Sequence, residues 1–291
     1  DHLDYHKTME GYAKAKKELF YKLKDNGISI INSDDKYSNY YKIVNFKEYG
    51  KSAKDYKIIS KSIGYKTSFI LDIKGNNYKF NSNLIGEYNI YNLVSAISLL
   101  VEMNIDISKI IDVVNILEAP PGRMDIVYLN GNLIAIDYAH TPDAMENIYN
   151  TINEINKGNI YTVFGCTGSR DRLKRPIMMD LALNNSKFVI VTSDDLHDEL
   201  FDDIVADMLE NNTKNNYLVI ENRGKAIEKG ISLLDSKDIL LILGKGHEDF
   251  IIIGDKKIPF NDKKVVENCY NIAKLQHNSK DCVRFMLKTV Q

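Results

Sequence analysis

Ile136-Asp137-Tyr138-Ala139-His140-Thr141-Pro142-Asp143-Ala144-Met145 joins an apolar run, Asn132 to Ile136, to an apparent helix opened by Pro142. An Asp and a His fall in the polar turn between them. A strand ending in such a turn before a helix is the usual ligand position of an α/β domain.

Working outward, Ala119-Pro120-Pro121-Gly122 is the best linker candidate, because two prolines and a glycine break regular structure. Beyond it strands and helices alternate. Strand 133–137 leads to helix 142–156, strand 160–164 to helix 175–184, and strand 188–192 to helix 201–211. Strand 217–220 leads to helix 223–235. Strand 239–243 runs into Gly244-Lys245-Gly246-His247-Glu248-Asp249, then a hairpin of 250–253 and 257–260, a helix 262–275 and a weakly patterned tail, 276–291. The alternation predicts a mostly parallel sheet covered on both faces.

Upstream of the linker the pattern is mixed. Residues 8–24 read as a helix with Thr8 as N-cap. Residues 28–32, 43–46 and 56–60 read as short strands, and 67–73 with 77–80 as a hairpin around Lys74-Gly75-Asn76. Two apolar helices follow, 89–103 and 108–115, the second capped by Ser108.

A length of 291 residues fits about two domains. Basic and acidic residues balance, 38 against 40, for a net charge of −2. That gives no footprint for nucleic acid or an anionic membrane, so neither is expected as a partner. The three cysteines, Cys166, Cys269 and Cys282, match no zinc or disulfide spacing. A reduced, cytoplasmic setting is therefore expected. No apolar run approaches the ~20 residues of a membrane-spanning helix. The chain starts in mid-motif at Asp1-His2-Leu3-Asp4 without a methionine and reads as an incomplete piece.

Five expected strands end in polar or glycine-rich clusters, at 137–142, 165–171, 192–199, 221–224 and 244–249. In a parallel sheet these gather on one edge and predict a shared site, against the alternative that they are ordinary turns. In Gly165-Cys166-Thr167-Gly168-Ser169-Arg170-Asp171 the glycines let backbone amides approach an anion, and Arg170, Arg172, Lys174 and Arg175 add positive charge. The spacing is neither that of a Walker loop nor of the dinucleotide fingerprint. Asp194, Asp195, Asp198 and Glu199 crowd four carboxylates around His197, suiting an ammonium or a metal. For Asp198 and Glu199 an acidic helix cap is the competing reading.

Taken with Asp1-His2-Leu3-Asp4-Tyr5-His6, Ala15-Lys16, Asn32-Ser33-Asp34-Asp35, Gly86-Glu87-Tyr88-Asn89-Ile90-Tyr91-Asn92 and Gly122-Arg123-Met124, these motifs resemble the Mur ligase family. The Asp-Tyr-Ala-His-Thr-Pro wording resembles its MurE type, which adds the third residue of the peptidoglycan stem peptide. The resemblance implies the latter part of a central ATPase domain over 1–121, without its phosphate loop, and a Rossmann-like C-terminal domain over 122–275. It implies ATP and Mg²⁺ as cofactors, with UDP-MurNAc-dipeptide and a free diamino acid as partners. By the same resemblance His2 and a carbamylated Lys16 are the Mg²⁺ ligands. Asn89, Asn92, Arg123 and Asp137 are the ATP contacts, with His140 beside them. Arg170, Asp194, Asp195, His197, Gly244 and Glu248 form the amino-acid pocket.

Meso-diaminopimelate enzymes of the family typically carry Asp-Asn-Pro-Arg where this chain has Asp194-Asp195-Leu196-His197. The missing Arg and the acidic pocket predict L-lysine over meso-diaminopimelate. A truncated, non-catalytic nucleotide- and amino-acid-binding module is the alternative, and a folylpolyglutamate-synthetase-like ligase another.

Overall fold

A computed structural model describes residues 3–271 apart from 44, 65, 130, 156 and 157. His2 and the expected tail, 276–291, lie outside the described residues. The chain divides into two units, Asp1–Ala119 with Asn147–Lys157, and Pro120–Glu146 with Gly158–Gln291.

The first unit holds a five-stranded sheet in chain order: β1 (Ser29–Asn32), β2 (Phe46–Gly50), β3 (Tyr56–Ser62), β4 (Thr67–Ile73) and β5 (Asn76–Ser82). β1, β2 and β3 run parallel, whereas β3, β4 and β5 are antiparallel. β4 alternates buried and half-buried residues, so Phe69, Leu71 and Ile73 share one face. Helix Glu87–Glu102 buries Ile90, Leu93, Val94 and Ile97, one helical stripe. Helix Ile107–Ile116 adds Ile110 and Val114 to the same core, where Phe69 and Phe80 stack 5.1 Å apart.

Three expectations change here. The helix expected over 8–24 is shorter, Met9–Lys17, with a separate 3-10 turn Phe20–Lys22. Leu19 and Tyr21 stay exposed, so nothing buried holds 18–24 helical. A further helical turn, Leu3–His6, precedes it. The strand expected at 43–46 is β2 instead, because Lys42 and Asp55 neutralise its charged Glu48 and Lys47. Asp106, not Ser108, caps the last helix, its carboxylate accepting the Ser108 amide at 2.8 Å.

The second unit holds β6 (Asp125–Leu129), β7 (Asn132–Asp137), β8 (Ile160–Phe164), β9 (Phe188–Val191), β10 (Tyr217–Val219) and β11 (Ile239–Leu243), in the order β10-β9-β8-β11-β7-β6. All pairings are parallel except β6 with β7. β6 was not expected. β7, β8 and β11 are buried along their whole length, as strands covered on both faces must be. From β8 the chain winds outward through β9 and β10, then returns to insert β11 between β8 and β7. The winding direction reverses on the return to β11, so the connections leaving the adjacent ends of β8 and β11 diverge, the position at which a doubly wound sheet offers a ligand crevice. A hairpin, β12 (Phe250–Ile253) with β13 (Lys256–Pro259), and a helical stretch 262–271 complete the unit.

Phe80→Ala removes a wholly buried ring from the first core and is expected to cost about 3–5 kcal/mol. Ile59→Ala, at an exposed site, should stay within about 0.5 kcal/mol. Urea unfolding of the two variants checks the contrast.

Candidate active site

The connections after β7, β8, β9 and β11 meet at the crevice of the second unit, with backbone nearly touching backbone. Gly244 has φ 110°, and a Cβ there would lie 2.4 Å from Asp194 Oδ2. Gly122 has φ 68°, and a Cβ there would lie 2.1 Å from the His247 nitrogen. Only glycine fits either place.

Asp137, at the end of β7, is buried. Its Oδ2 accepts the Met124 amide at 2.7 Å and its Oδ1 the Ala139 amide at 2.8 Å. Burial pushes its pKa up, opposed by those two amides. The carboxylate thus clasps the chain entering β6 to the turn leaving β7. Arg123 sits with its guanidinium 4.8 Å from the Tyr138 ring centre, and His140 meets the same ring at 4.9 Å. The Tyr138 carbonyl lies 2.8 Å from His140 Nδ1, and Lys174 donates to the His140 carbonyl at 2.9 Å.

On the other side of the crevice, Asp194 Oδ1 accepts the Asp195 amide at 2.7 Å. Burial pushes the Asp194 pKa up, while the Arg223 and Lys245 charges pull against it. Asp195 Oδ1 accepts from Lys245 Nζ at 2.7 Å and from the Ile252 amide at 2.8 Å. Asp195 was expected to await a substrate ammonium, yet its charge is already met by Lys245. Glu248 Oε2 lies 2.5 Å from the same ammonium, and the Tyr138 hydroxyl donates to Glu248 Oε1 at 3.4 Å. His197 has φ 50° and holds the hairpin, its carbonyl accepting the Gly254 amide at 2.8 Å. Arg223 is fully buried, bidentate to Asp262 at 2.8 Å, and donates to the Leu243 and Ser193 carbonyls.

The basic residues after β8 separate into two kinds. Arg175 does not face a ligand. It is wholly buried, at 2.7 Å from both Glu199 and Asp207. Arg172 is bidentate to Asp207. Glu199 also accepts the Ser169 amide, so it braces the β8 loop and does not cap a helix. Arg170 is exposed at the crevice edge.

In the first unit, Asn89 donates to the Ile85 carbonyl at 2.8 Å and Asn92 lies one turn on, exposed. Lys16 is exposed, its ammonium 4.7 Å from the Tyr12 ring centre. Among the described residues no group of three His, Cys, Asp or Glu side chains is placed to hold a metal ion; His2, one of the two expected ligands, lies outside them.

Two domain models match the chain: the Mur ligase middle domain over residues 1–100, and the Mur ligase glutamate ligase domain over 122–246. The chain belongs to the Mur ligase family. It is 40% identical over 275 residues to the UDP-N-acetylmuramoyl-L-alanyl-D-glutamate–2,6-diaminopimelate ligase of Aquifex aeolicus, with 92% of this chain and 56% of that protein covered. It is 37% identical over 278 residues to diaminopimelate ligase 1 of Clostridium acetobutylicum, again 56% of the relative's length. A solved structure of such a ligase matches with a TM-score of 0.60 and 31% identity, covering 94% of this chain and 58% of the other. The chain thus spans little over half the length of these Mur ligases.

Sequence reasoning missed Tyr138 and Lys245 as organisers, although both stand inside quoted motifs. It had no signal for Arg223, whose partner Asp262 is 39 residues away.

Arg175→Met should cost about 2–3 kcal/mol, less than the ~3–5 of a fully buried pair, because Glu199 and Asp207 keep some exposure. Arg175 holds the Glu199 pKa down, and Arg172 followed by Arg175 holds down that of Asp207. Depressed carboxylates stabilise the fold above their unfolded pKa of about 4 and lose that contribution as pH falls through the folded value. Thermal unfolding should show the variant's deficit at neutral pH shrinking in acid.

Proposed function

We propose that the chain is the central and C-terminal part of an ATP-dependent ligase that joins a diamino acid to UDP-MurNAc-L-Ala-D-Glu in cytoplasmic peptidoglycan synthesis. The observation that carries this is the meeting of the 137–142, 165–171, 192–199 and 244–249 connections at one crevice, in the family whose named relatives catalyse that step.

The D-Glu carboxylate attacks the γ-phosphorus of ATP, giving an acyl phosphate and ADP. The neutral amine of the incoming amino acid then attacks the acyl carbon, phosphate leaves, and the surplus amine proton passes to solvent or a carboxylate. Arg123, exposed at the domain entry, serves the phosphates. Asp137, whose oxygens each already take one amide, offers its remaining lone pairs to the ribose hydroxyls, with His140 alongside. Asn89 and Asn92 serve the adenine side. Arg170 takes the α-carboxylate of the amino acid. Asp194, Glu248 and the Gly244 loop take its ammonium groups, and His197 stands near the distal end. Asp195 keeps Lys245 as its counter-ion. Mg²⁺ belongs to this reading through His2 and a carbamylated Lys16, and no step here is taken through the ion.

For the amino acid, the acidity argument weakens, because Lys245 already meets Asp195 and Glu248. The absence of an arginine at position 197 remains. A charge-assisted bidentate contact is worth about 1.5–3 kcal/mol, or roughly 10–100-fold. We therefore expect L-lysine to exceed meso-diaminopimelate about tenfold in kcat/KM, and His197→Arg to narrow the gap. ADP release by the whole protein with each amino acid measures both. A preference for meso-diaminopimelate overturns the lysine reading, and no ADP with either favours a non-catalytic module.

A further inference from the structure

We propose that Lys245 is a positioning residue that sets Glu248 toward the incoming amino acid. This rests on the reading above that Glu248 meets the amino acid.

Lysine is almost never fully buried unless paired, and one carboxylate would neutralise it. Lys245, with no exposed surface, has two carboxylates, from different loops: Asp195 at 2.7 Å and Glu248 at 2.5 Å. The Asp195 contact anchors the ammonium, since that carboxylate is itself fixed by the Ile252 amide. The Glu248 contact then does something neutralisation does not require. Glu248 stands on a turn whose Gly244 and Gly246 both have positive φ, and its side chain is only half buried. A long side chain on such a turn has many rotamers open to it. Holding Oε2 leaves Oε1 directed at the Tyr138 hydroxyl. The Tyr138 ring in turn touches Arg123, His140 and His247. The series Asp195, Lys245, Glu248, Tyr138 therefore joins the connections after β9, β11 and β7. A substrate ammonium at Glu248 meets a carboxylate already oriented, and the ordering cost on binding falls.

The test uses steady-state kinetics of the whole protein with Lys245→Met. That variant strands two carboxylates and can fail to fold, so Lys245→Met with Asp195→Asn, which drops one charge of each sign, is measured beside it, as is Glu248→Gln. Thermal unfolding reports which variants fold. The expected result is a tenfold or greater rise in KM for the amino acid in the folded Lys245 variants and in Glu248→Gln, with KM for ATP within twofold of the parent. If Glu248→Gln shows the rise and the Lys245 variants do not, the positioning role is overturned. If ATP and amino-acid KM rise together, or neither Lys245 variant folds, Lys245 is merely structural and the proposal fails. If Glu248→Gln leaves the amino-acid KM unchanged, the reading of Glu248 itself fails, and the proposal with it.

Discussion

Two cations, Arg223 and Lys245, sit wholly out of water where the parallel strands end, and their neutralisation arranges the second unit's functional edge. Each must be met by carboxylates and carbonyls drawn from distant parts of the chain, because an uncompensated buried charge costs several kcal/mol. Arg223 draws Asp262, at the start of the helical stretch 262–271, against the carbonyls that end β9 and β11. Lys245 draws Asp195 and Glu248 together. Four segments far apart in sequence are thereby fixed around one crevice without a metal or disulfide among the described residues.

The same requirement sorts the ionisable residues by role. Arg175 is spent on Glu199 and Asp207, and Arg172 on Asp207, so the loop after β8 is braced from behind and the exposed Arg170 remains at its front. Asp137 is spent on two backbone amides, which fix where β6 enters and where the turn leaves β7. A carboxylate bonded this way is rigid, since both of its oxygens are held by backbone amides. The cost is desolvation, visible in its upward pKa.

Legibility in the sequence followed burial. β8 and β11 were readable to the residue because strands covered on both faces are uniform apolar runs. β6 was invisible: Asp125-Ile126-Val127-Tyr128-Leu129 is a half-exposed, antiparallel edge directly after a proline-rich break. β2 was misplaced toward the apolar pair at 43–44, since Lys47 and Glu48 look like surface until their partners are known. The converging glycine turns were legible because they reflect local chemistry. The fate of Arg175 was not, because its partners lie 24 and 32 residues on and no local pattern records them.

The acids gathered at this edge outnumber the buried cations. Asp194, Asp195, Glu248 and Asp262 are four carboxylates against the two cations Arg223 and Lys245. Burial raises the Asp194 pKa, while the charges of Arg223 and Lys245 pull it back. By linkage, any further positive charge brought beside Asp194 would favour its ionised form. Arg223 and Lys245 together cannot balance all four acids, and burial of the remainder is carried by backbone amides.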